Sequence, residues 1–392
     1  MQRYSFLRLA REALRGNTGW QPVWRDPKVK SGYDVVVIGG GNSGRNTQVT
    51  RSNYFYPVSS AFYDHSLKLY EGLARELNFN VMLSQRGQIA LAHSEHELEI
   101  NRRWANAIRM GGVDCEILTP AGIKRLIPII NLDSRHPIAG GFIQHRAGIS
   151  RHDAVVWGFA RGASDLGVDI IQGCEVSGFD LVGGRVRGVR VRSTRPENQA
   201  GPLIAADRVV MSVAGHASVL AKQAGLTLPL TTMALQAMVT EPIKPILDKV
   251  IMSGAVHAYV SQSDRGEIVI GGGADIYNSY AQRGGLPSMQ ATIGATLELF
   301  PCFSRLRLMR QWAGMVDVSP DTTAIMGLTP IEGLYINCGW GTGGYKAIPA
   351  GGDTMAYTVA HNRPHPLIAS FGLDRFTRGA LVDEGAAAGV AH

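Results

Sequence analysis

The sequence is poor in the features that would take it outside ordinary globular chemistry. Its four cysteines, Cys115, Cys174, Cys302 and Cys338, stand far apart with no C-x-x-C pair. That spacing argues against a zinc site or a disulfide framework and fits a reduced, cytoplasmic compartment. No apolar run approaches the ~18 residues of a membrane span. Charged residues make up only 18% of the chain, and Lys+Arg exceed Asp+Glu by 39 to 32 with no basic block. Neither nucleic acid nor a membrane is therefore an expected partner. The N-terminus lacks the 7–15-residue apolar stretch of a signal peptide. Phe6, Leu9, Ala10, Ala13 and Leu14 instead share one helical face, read as a docking helix for a partner or for the body of the chain.

What is present is a globular composition, 45% hydrophobic over 392 residues, enough for roughly two to three domain-sized units. Glycine is abundant at 47 residues, about 12% against a usual ~7%. Turns, and backbone brought close to a ligand, are the expected uses. After a basic linker, Tyr33–Ile38 reads as a buried parallel strand ending in glycines. Ser59–Leu77 has helical periodicity, and Val81–His93 is strand material broken by Gly87. Ser94 with Glu97 forms a capping box for a helix to about Met110, and Thr119-Pro120 opens a shorter one. Ser150 with Asp153 repeats the capping-box spacing for a helix to about Leu166. A strand over Val168–Val176 and a hairpin turning at Gly183-Gly184 follow, then a buried strand over Asp207–Val213. Residues 225–320 are mostly short strands around one helix, Pro287–Leu299. A last strand, Leu334–Cys338, runs into a glycine loop. Helix–strand alternation at both ends of a β-rich middle predicts an open parallel sheet carrying an antiparallel-sheet domain.

Three segments carry candidate chemistry. Gly39, Gly41 and Gly44 spell G-x-G-x-x-G after a strand, the spacing of a dinucleotide-binding turn. That chemistry also needs a following helix and an acidic residue about 20 positions on, and Arg45–Arg51 opens no apolar helix. Cys338-Gly339-Trp340-Gly341-Thr342-Gly343-Gly344-Tyr345-Lys346 sets glycines and a lysine in one turn, where successive N–H groups can hold an anion or a carbonyl-rich ring; a solvated loop is the alternative. His152 at a helix start is either a surface residue or a ligand and nucleophile. Arg51 and Lys346 would make a carboxylate clamp if the fold brought them together.

The segments DVVVIGGG, GNSGRNTQVTRSNYF, SRHDAVVWGFARGASDLGVDIIQGCEV, IVIGGGADIYNSYAQRG, SPDTTAIMG and CGWGTGGYKAIPAGG resemble the β subunits of heterotetrameric sarcosine oxidases, in order and over nearly the whole chain. VVMSVAG and SPDTTAIMG are shared with the wider family of amine-oxidising flavoproteins. The resemblance implies an FAD-binding doubly wound, Rossmann-like domain assembled from 33–80, 140–222 and 320–360. A β-sheet substrate domain would comprise 81–139 and 223–319, with a helix and linker before (1–32) and a tail after (361–392). It implies non-covalent FAD and covalent FMN on His152, with His216 a further FMN contact. Arg51 and Lys346 match the pair that grips the substrate carboxylate, and Gly341, Gly344 and Lys346 match the flavin-contacting loop. Asn46, Thr47 and Val176 match FAD-lining positions. Sarcosine would be oxidised to glycine, giving formaldehyde or methylene-tetrahydrofolate, with O2 reduced to hydrogen peroxide. Partners would be α, γ and δ subunits, the α subunit holding tetrahydrofolate and NAD.

One departure stands out. In such proteins the first strand continues through a glycine turn into a helix and a second strand ending in an acidic residue. Here Gly41 runs straight into Asn42, so most of a ~30-residue βαβ unit is missing. The expected consequences are a lost pyrophosphate site, a lost ribose carboxylate, and an exposed sheet edge. A cofactor-impaired structural subunit, or an oxidoreductase for dimethylglycine, proline or another N-alkyl amino acid, are the alternative readings.

Overall fold

Two sheets organise the chain. The computed structural model describes residues 5–19, 24–25, 27–40, 43–194, 203–275 and 277–383. In chain order the elements begin with α1 (Phe6–Leu14), β1 (Gly32–Gly39), β2 (Val49–Thr50), α2 (Pro57–Glu76) and β3 (Gln88–Ala92). Then come α3 (Glu95–Met110), β4 (Cys115–Leu118), α4 (Pro120–Leu126), β5 (Gly140–Gln144), β6 (Gly148–Ile149) and α5 (His152–Asp165). The central stretch holds β7 (Cys174–Val182), β8 (Arg185–Ser193), β9 (Leu203–Ser212), α6 (Ala217–Gln223), β10 (Thr231–Pro242), β11 (Val250–Ser253), β12 (Ala258–Gln262) and β13 (Glu267–Ala274). It closes with α7 (Leu286–Leu299), β14 (Leu308–Val318), β15 (Ile325–Leu328), β16 (Leu334–Cys338), α8 (Gly344–His361) and α9 (Arg375–Arg378).

The first sheet is built on β9. Along one edge β9 pairs in parallel with β1, from Gly32↔Ala205 to Gly39↔Ser212. Along the other it pairs antiparallel with β8 near its start and parallel with β16 near its end. Alternation divides the side chains of β9 between two buried layers, as a covered parallel sheet requires. Val209 and Met211 join Ile336, Ala217 and Leu220 below, while Val210 joins Tyr335, Phe62, Ala347 and Ala350 above. The hairpin turns where expected: Gly183 and Gly184 both have positive φ, at 61° and 77°, the backbone of a type I′ turn.

The second sheet has the order β14-β10-β13-β12-β11-β3-β5-β4. Every junction is antiparallel except β11 with β3, which is parallel, so the expected antiparallel sheet is slightly mixed. β5 sits between β3 and β4 in this sheet, although its residues open a stretch (140–222) expected in the nucleotide-binding unit.

Three local expectations are corrected. Arg151, not Ser150, is the N-cap of α5, and no side chain caps it; the Ser150 hydroxyl lies 2.7 Å from that of Tyr345 instead. The strand expected from Val168 begins only at Cys174. The apolar face of α1 does not dock on the described residues, since Phe6 is 81% exposed and Leu14 also stands in solvent. By contrast the Ser94 cap forms, its hydroxyl accepting from the Glu97 N–H at 3.1 Å.

The missing βαβ unit has a structural counterpart. Gly41 and Asn42, where the junction falls, lie outside the described residues, but two residues cannot hold a helix. The chain resumes in a single 3-10 turn, Ser43–Arg45. β1 is consequently an edge strand with no second partner among the described residues. Val37, which an inner parallel strand would bury, is 64% exposed.

Candidate active site

The strand–turn–helix from β16 to α8 forms one wall of a cavity of about 470 Å³ between the two sheets. The turn needs its glycines. Gly341 has a φ of 50°, in the left-handed region, and a Cβ on Gly343 would lie 2.1 Å from the Tyr63 hydroxyl oxygen. The turn is anchored by the Gly341 N–H donating to the Asp317 carbonyl at 2.8 Å. The Asp317 carboxylate itself accepts from the Gly215 N–H and the Thr232 hydroxyl, and burial raises its pKa. Gly341 and Gly344 both line the cavity. The first N–H groups of a helix have no intrahelical acceptor, so the start of α8 offers donors there.

Lys346, in the first turn of α8, lines the same cavity and is only 7% exposed. Its Nζ donates to the Thr342 carbonyl at 2.9 Å. Burial, and secondarily the nearby Arg51 guanidinium, hold its pKa well below the ordinary lysine value. Arg51 follows β2, which β6 pins in an antiparallel pair, and is 4% exposed. Its guanidinium lies 4.6 Å from the Tyr54 ring centre, and Nη1 donates to Asn53 Oδ1 at 2.7 Å. Residues almost 300 positions apart are thus brought into one cavity as a fixed, desolvated arginine and a lysine that readily gives up its proton. Such a pair has the chemistry to receive a carboxylate: the guanidinium would supply planar donors, and an arriving anion would favour the ammonium form of the amine.

Asn46 and Thr47 line this cavity too. Thr47 is hydrogen-bonded to Tyr259, whose hydroxyl burial pushes up to about 12 against the opposing effect of that bond. Tyr259 lies across Gly271, where a Cβ would approach its ring to 1.9 Å. Sequence reasoning missed Tyr259; the G-G-G run at 271–273 was its one signal, a strand stripped of side chains to seat a ring.

A second cavity of about 370 Å³ contains His152, with Arg45, Arg151, Arg265 and Arg310 around it. Arg45 and Asn46 line both cavities, so the segment from Ser43 to Gln48 is the partition between them. Gln48, at a φ of 69°, holds His152 Nδ1 at 3.0 Å through its side-chain amide. Burial lowers the His152 pKa; Asp153 opposes this, while Arg151 and Arg265 add to it. A neutral imidazole is thereby favoured. His216 lines neither cavity: it stands exposed with its ring 5.4 Å from that of Tyr280. Val176, on β7, packs against the core under β9 rather than into the cavity.

A cavity between the two sheets, at the carboxyl ends of parallel strands, with a glycine turn feeding a helix, defines a nucleotide-cofactor oxidoreductase. The chain belongs to the FAD dependent oxidoreductase family, whose family model matches residues 30–358. Within it the chain is a member of the sarcosine oxidase subunit beta group. It is 45% identical to the subunit of that name from Rhodobacter capsulatus over the whole of both chains. With the one from Arthrobacter sp it shares 43% identity over 94% of this chain and 97% of the other. The Rhodobacter capsulatus alignment spans 423 positions against 392 residues here, so 31 of its positions have no residue in this chain. Among solved structures, L-proline dehydrogenase from P. horikoshii superposes with a TM-score of 0.83 over 90% of this chain and 100% of its own, at 21% identity. Glycine oxidase from Geobacillus kaustophilus gives 0.76 over 88% and 99%, at 17% identity. These two establish the fold.

The residues present fit part of the family's cofactor. The glycine turn, the start of α8 and the cations suit an electron-rich ring and the substrate beside it. The strand ends at Gly40, Ser212 and Asn337, which also line the cavity, supply no cation, and β1 is followed by no α-helix before α2.

Proposed function

We propose that this chain is the flavin-bearing subunit of a sarcosine-oxidising complex. Sarcosine, water and O2 would give glycine, formaldehyde (or a methylene group passed to tetrahydrofolate) and hydrogen peroxide. The single observation that carries the reading is the convergence of Arg51 and Lys346 in one glycine-walled cavity. A bound flavin supplies the two-electron oxidation. Everything else falls to the chain: Arg51 and Lys346 hold the carboxylate, the start of α8 presents N–H donors to developing negative charge, and the apolar walls exclude water. Substrate nitrogen is oxidised most readily as the free amine, and two cations near it lower the affinity of that nitrogen for a proton.

His152 is the proposed attachment point for a second flavin, FMN. The Gln48 side-chain amide donates to Nδ1 at 3.0 Å, so the neutral imidazole carries its proton on Nε2. Nε2, the ring nitrogen Gln48 leaves open, would bond to the flavin as it gives up that proton. Subunits of the α, γ and δ kinds are the proposed partners, with NAD and tetrahydrofolate on the α subunit. A second reading, a structural subunit impaired in cofactor binding, is favoured by one observation, the bare edge of β1.

The test is sarcosine-dependent peroxide formation by the purified complex, followed by acid precipitation. The expected result is activity, with yellow colour retained in the pellet of the wild-type protein and lost from that of His152→Ala. Colour persisting in the variant removes His152 from the role; absence of sarcosine turnover favours the structural reading.

A further inference from the structure

The residues lining the cavity between the sheets fall into two unlike groups. The segment around β2 and the turn into α8, the ring end, give Arg51, Lys346, Thr47, Gly341 and Gly344. The carboxyl ends of β1, β9 and β16, with the residues after β9, give Gly40, Ser212, Val213, Ala214 and Asn337, all neutral. An adenosine diphosphate in a doubly wound fold is held there by three devices. Helix N–H groups following the first strand take the pyrophosphate, close-packed glycines admit it, and a carboxylate about 20 residues on takes the ribose.

This chain has neither the helix nor the carboxylate. After β1 the next structure is the three-residue turn Ser43–Arg45, then two-residue β2. The next helix, α2, opens at Pro57, and none of its residues lines the cavity. No Asp or Glu occurs between Asp34 and Asp64. Asp64 is buried and already engaged by Lys68 at 2.7 Å and Arg146 at 3.2 Å. Among the described residues, the one other Lys or Arg in the lining, Arg45, is tied to the Ala313 carbonyl at 3.1 Å and to Gln282. Among the described residues of the lining the one carboxylate, Asp317, is committed to the Gly215 N–H and the Thr232 hydroxyl.

We infer that this cavity takes its flavin by the isoalloxazine ring and ribityl chain alone, so that an adenylate adds no affinity. The ligand class is a flavin with or without a terminal phosphate, and the inference rests on the flavin reading above.

The experiment uses the full chain, purified and freed of non-covalent flavin. Riboflavin, FMN and FAD are titrated by quenching of flavin fluorescence, with ADP as a competitor and as a separate ligand in thermal unfolding. The expected result is three flavin affinities within about tenfold of one another. ADP at about 10 mM should neither displace riboflavin nor raise the melting temperature. FAD binding about 100-fold tighter than riboflavin, or displacement by ADP, overturns the inference. Failure of every flavin to bind overturns it too, and in that case the flavin reading falls with it. Gly344→Val, whose Cβ would crowd the cavity-lining Trp340 at 3.3 Å and displace that wall, should weaken all three flavins alike by at least about tenfold. Undiminished binding in a folded variant would place the flavin elsewhere and refute the assignment. The ADP and FAD arms need no variant and stand if this one fails to fold.

Discussion

Two parallel strands flank β9 and end side by side at the cavity, and they have met different fates. β16 is buried along nearly its whole length and passes through a glycine turn into the 18-residue α8. β1 is half exposed and passes into a single 3-10 turn. A short strand ending in glycine thus lies inside the sheet in one place and on its edge in the other. β16 is paired by β15 as well as by β9 and runs into α8, whereas β1 pairs with β9 alone among the described residues. β9 carries the larger share of both buried layers, with β1 adding Ile38 to one and Val35 at the margin of the other. The ring-holding and adenylate-holding devices of the nucleotide fold are then separable, one on β16–α8 and the other on what followed β1.

The largest expected effect tests that asymmetry directly. Ile336 on β16 is fully buried, so Ile336→Ala should lower unfolding free energy by about 2–5 kcal/mol through lost burial and the cavity left behind. Val37→Ala on β1 removes a largely solvated side chain and should change stability by less than about 0.5 kcal/mol. Val37→Lys should be equally mild and should reduce aggregation, because a charge on a bare edge blocks strand pairing between molecules. Urea melts of the three variants decide it. A cost at Val37 comparable to that at Ile336 would mean that something covers β1 in solution.

Next in size is the cation on the ring side. Arg51→Ala removes the buried guanidinium that the proposed function sets against the substrate carboxylate. Leaving a buried charge without its partner costs about 2–5 kcal/mol, or roughly 30- to several-thousand-fold in kcat/KM for sarcosine. The loss should fall mainly on KM, since the carboxylate is held in ground and transition states alike. A variant with unchanged KM would detach Arg51 from the substrate.

Much of this architecture was legible in the sequence, and the exceptions share a cause. Helix α2, the Ser94 cap and the turn at Gly183-Gly184 rest on neighbours within a few residues, and periodicity reports such contacts faithfully. The CGWGTGGYK loop was legible because its glycines are needed by its own backbone. The Ser150 capping box failed because a partner 195 residues away, Tyr345, takes the hydroxyl. No strand is read from the sequence at 140–144; β5 forms there because β3 and β4 pair with it on either side. Gln48 carries no signal at all: its side chain reaches His152 only because a positive φ turns the segment. The break after Gly41 was visible as a missing unit, whereas its cost, the exposure of Val37, required knowing that β1 has one neighbour. His216 and Val176 were assigned through resemblance, and the chain places neither in a cavity.

The smallest effect expected is also the most diagnostic, and it concerns Lys346. Its folded-state pKa lies well below the ordinary value, whereas in the unfolded chain it titrates near ~10.4. Between those two values the unfolded state holds a proton that the folded state does not. Unfolded protein therefore binds more protons, and stability rises with pH across that window. Lys346→Met should be more stable than the wild type below the window and should lack this rise. A carboxylate ligand reverses the preference, because it favours the ammonium form. Acetate, which has no amine of its own, should therefore bind with uptake of a proton, and its affinity should fall about tenfold per pH unit (~1.4 kcal/mol) above the free-site pKa. In Lys346→Met the affinity should be weaker at low pH and should no longer follow this slope. A wild-type affinity independent of pH up to about 10 would mean that the amine stays charged in the free cavity. The two ends of that cavity would then differ by two fixed cations at the ring end rather than by one cation and a proton acceptor.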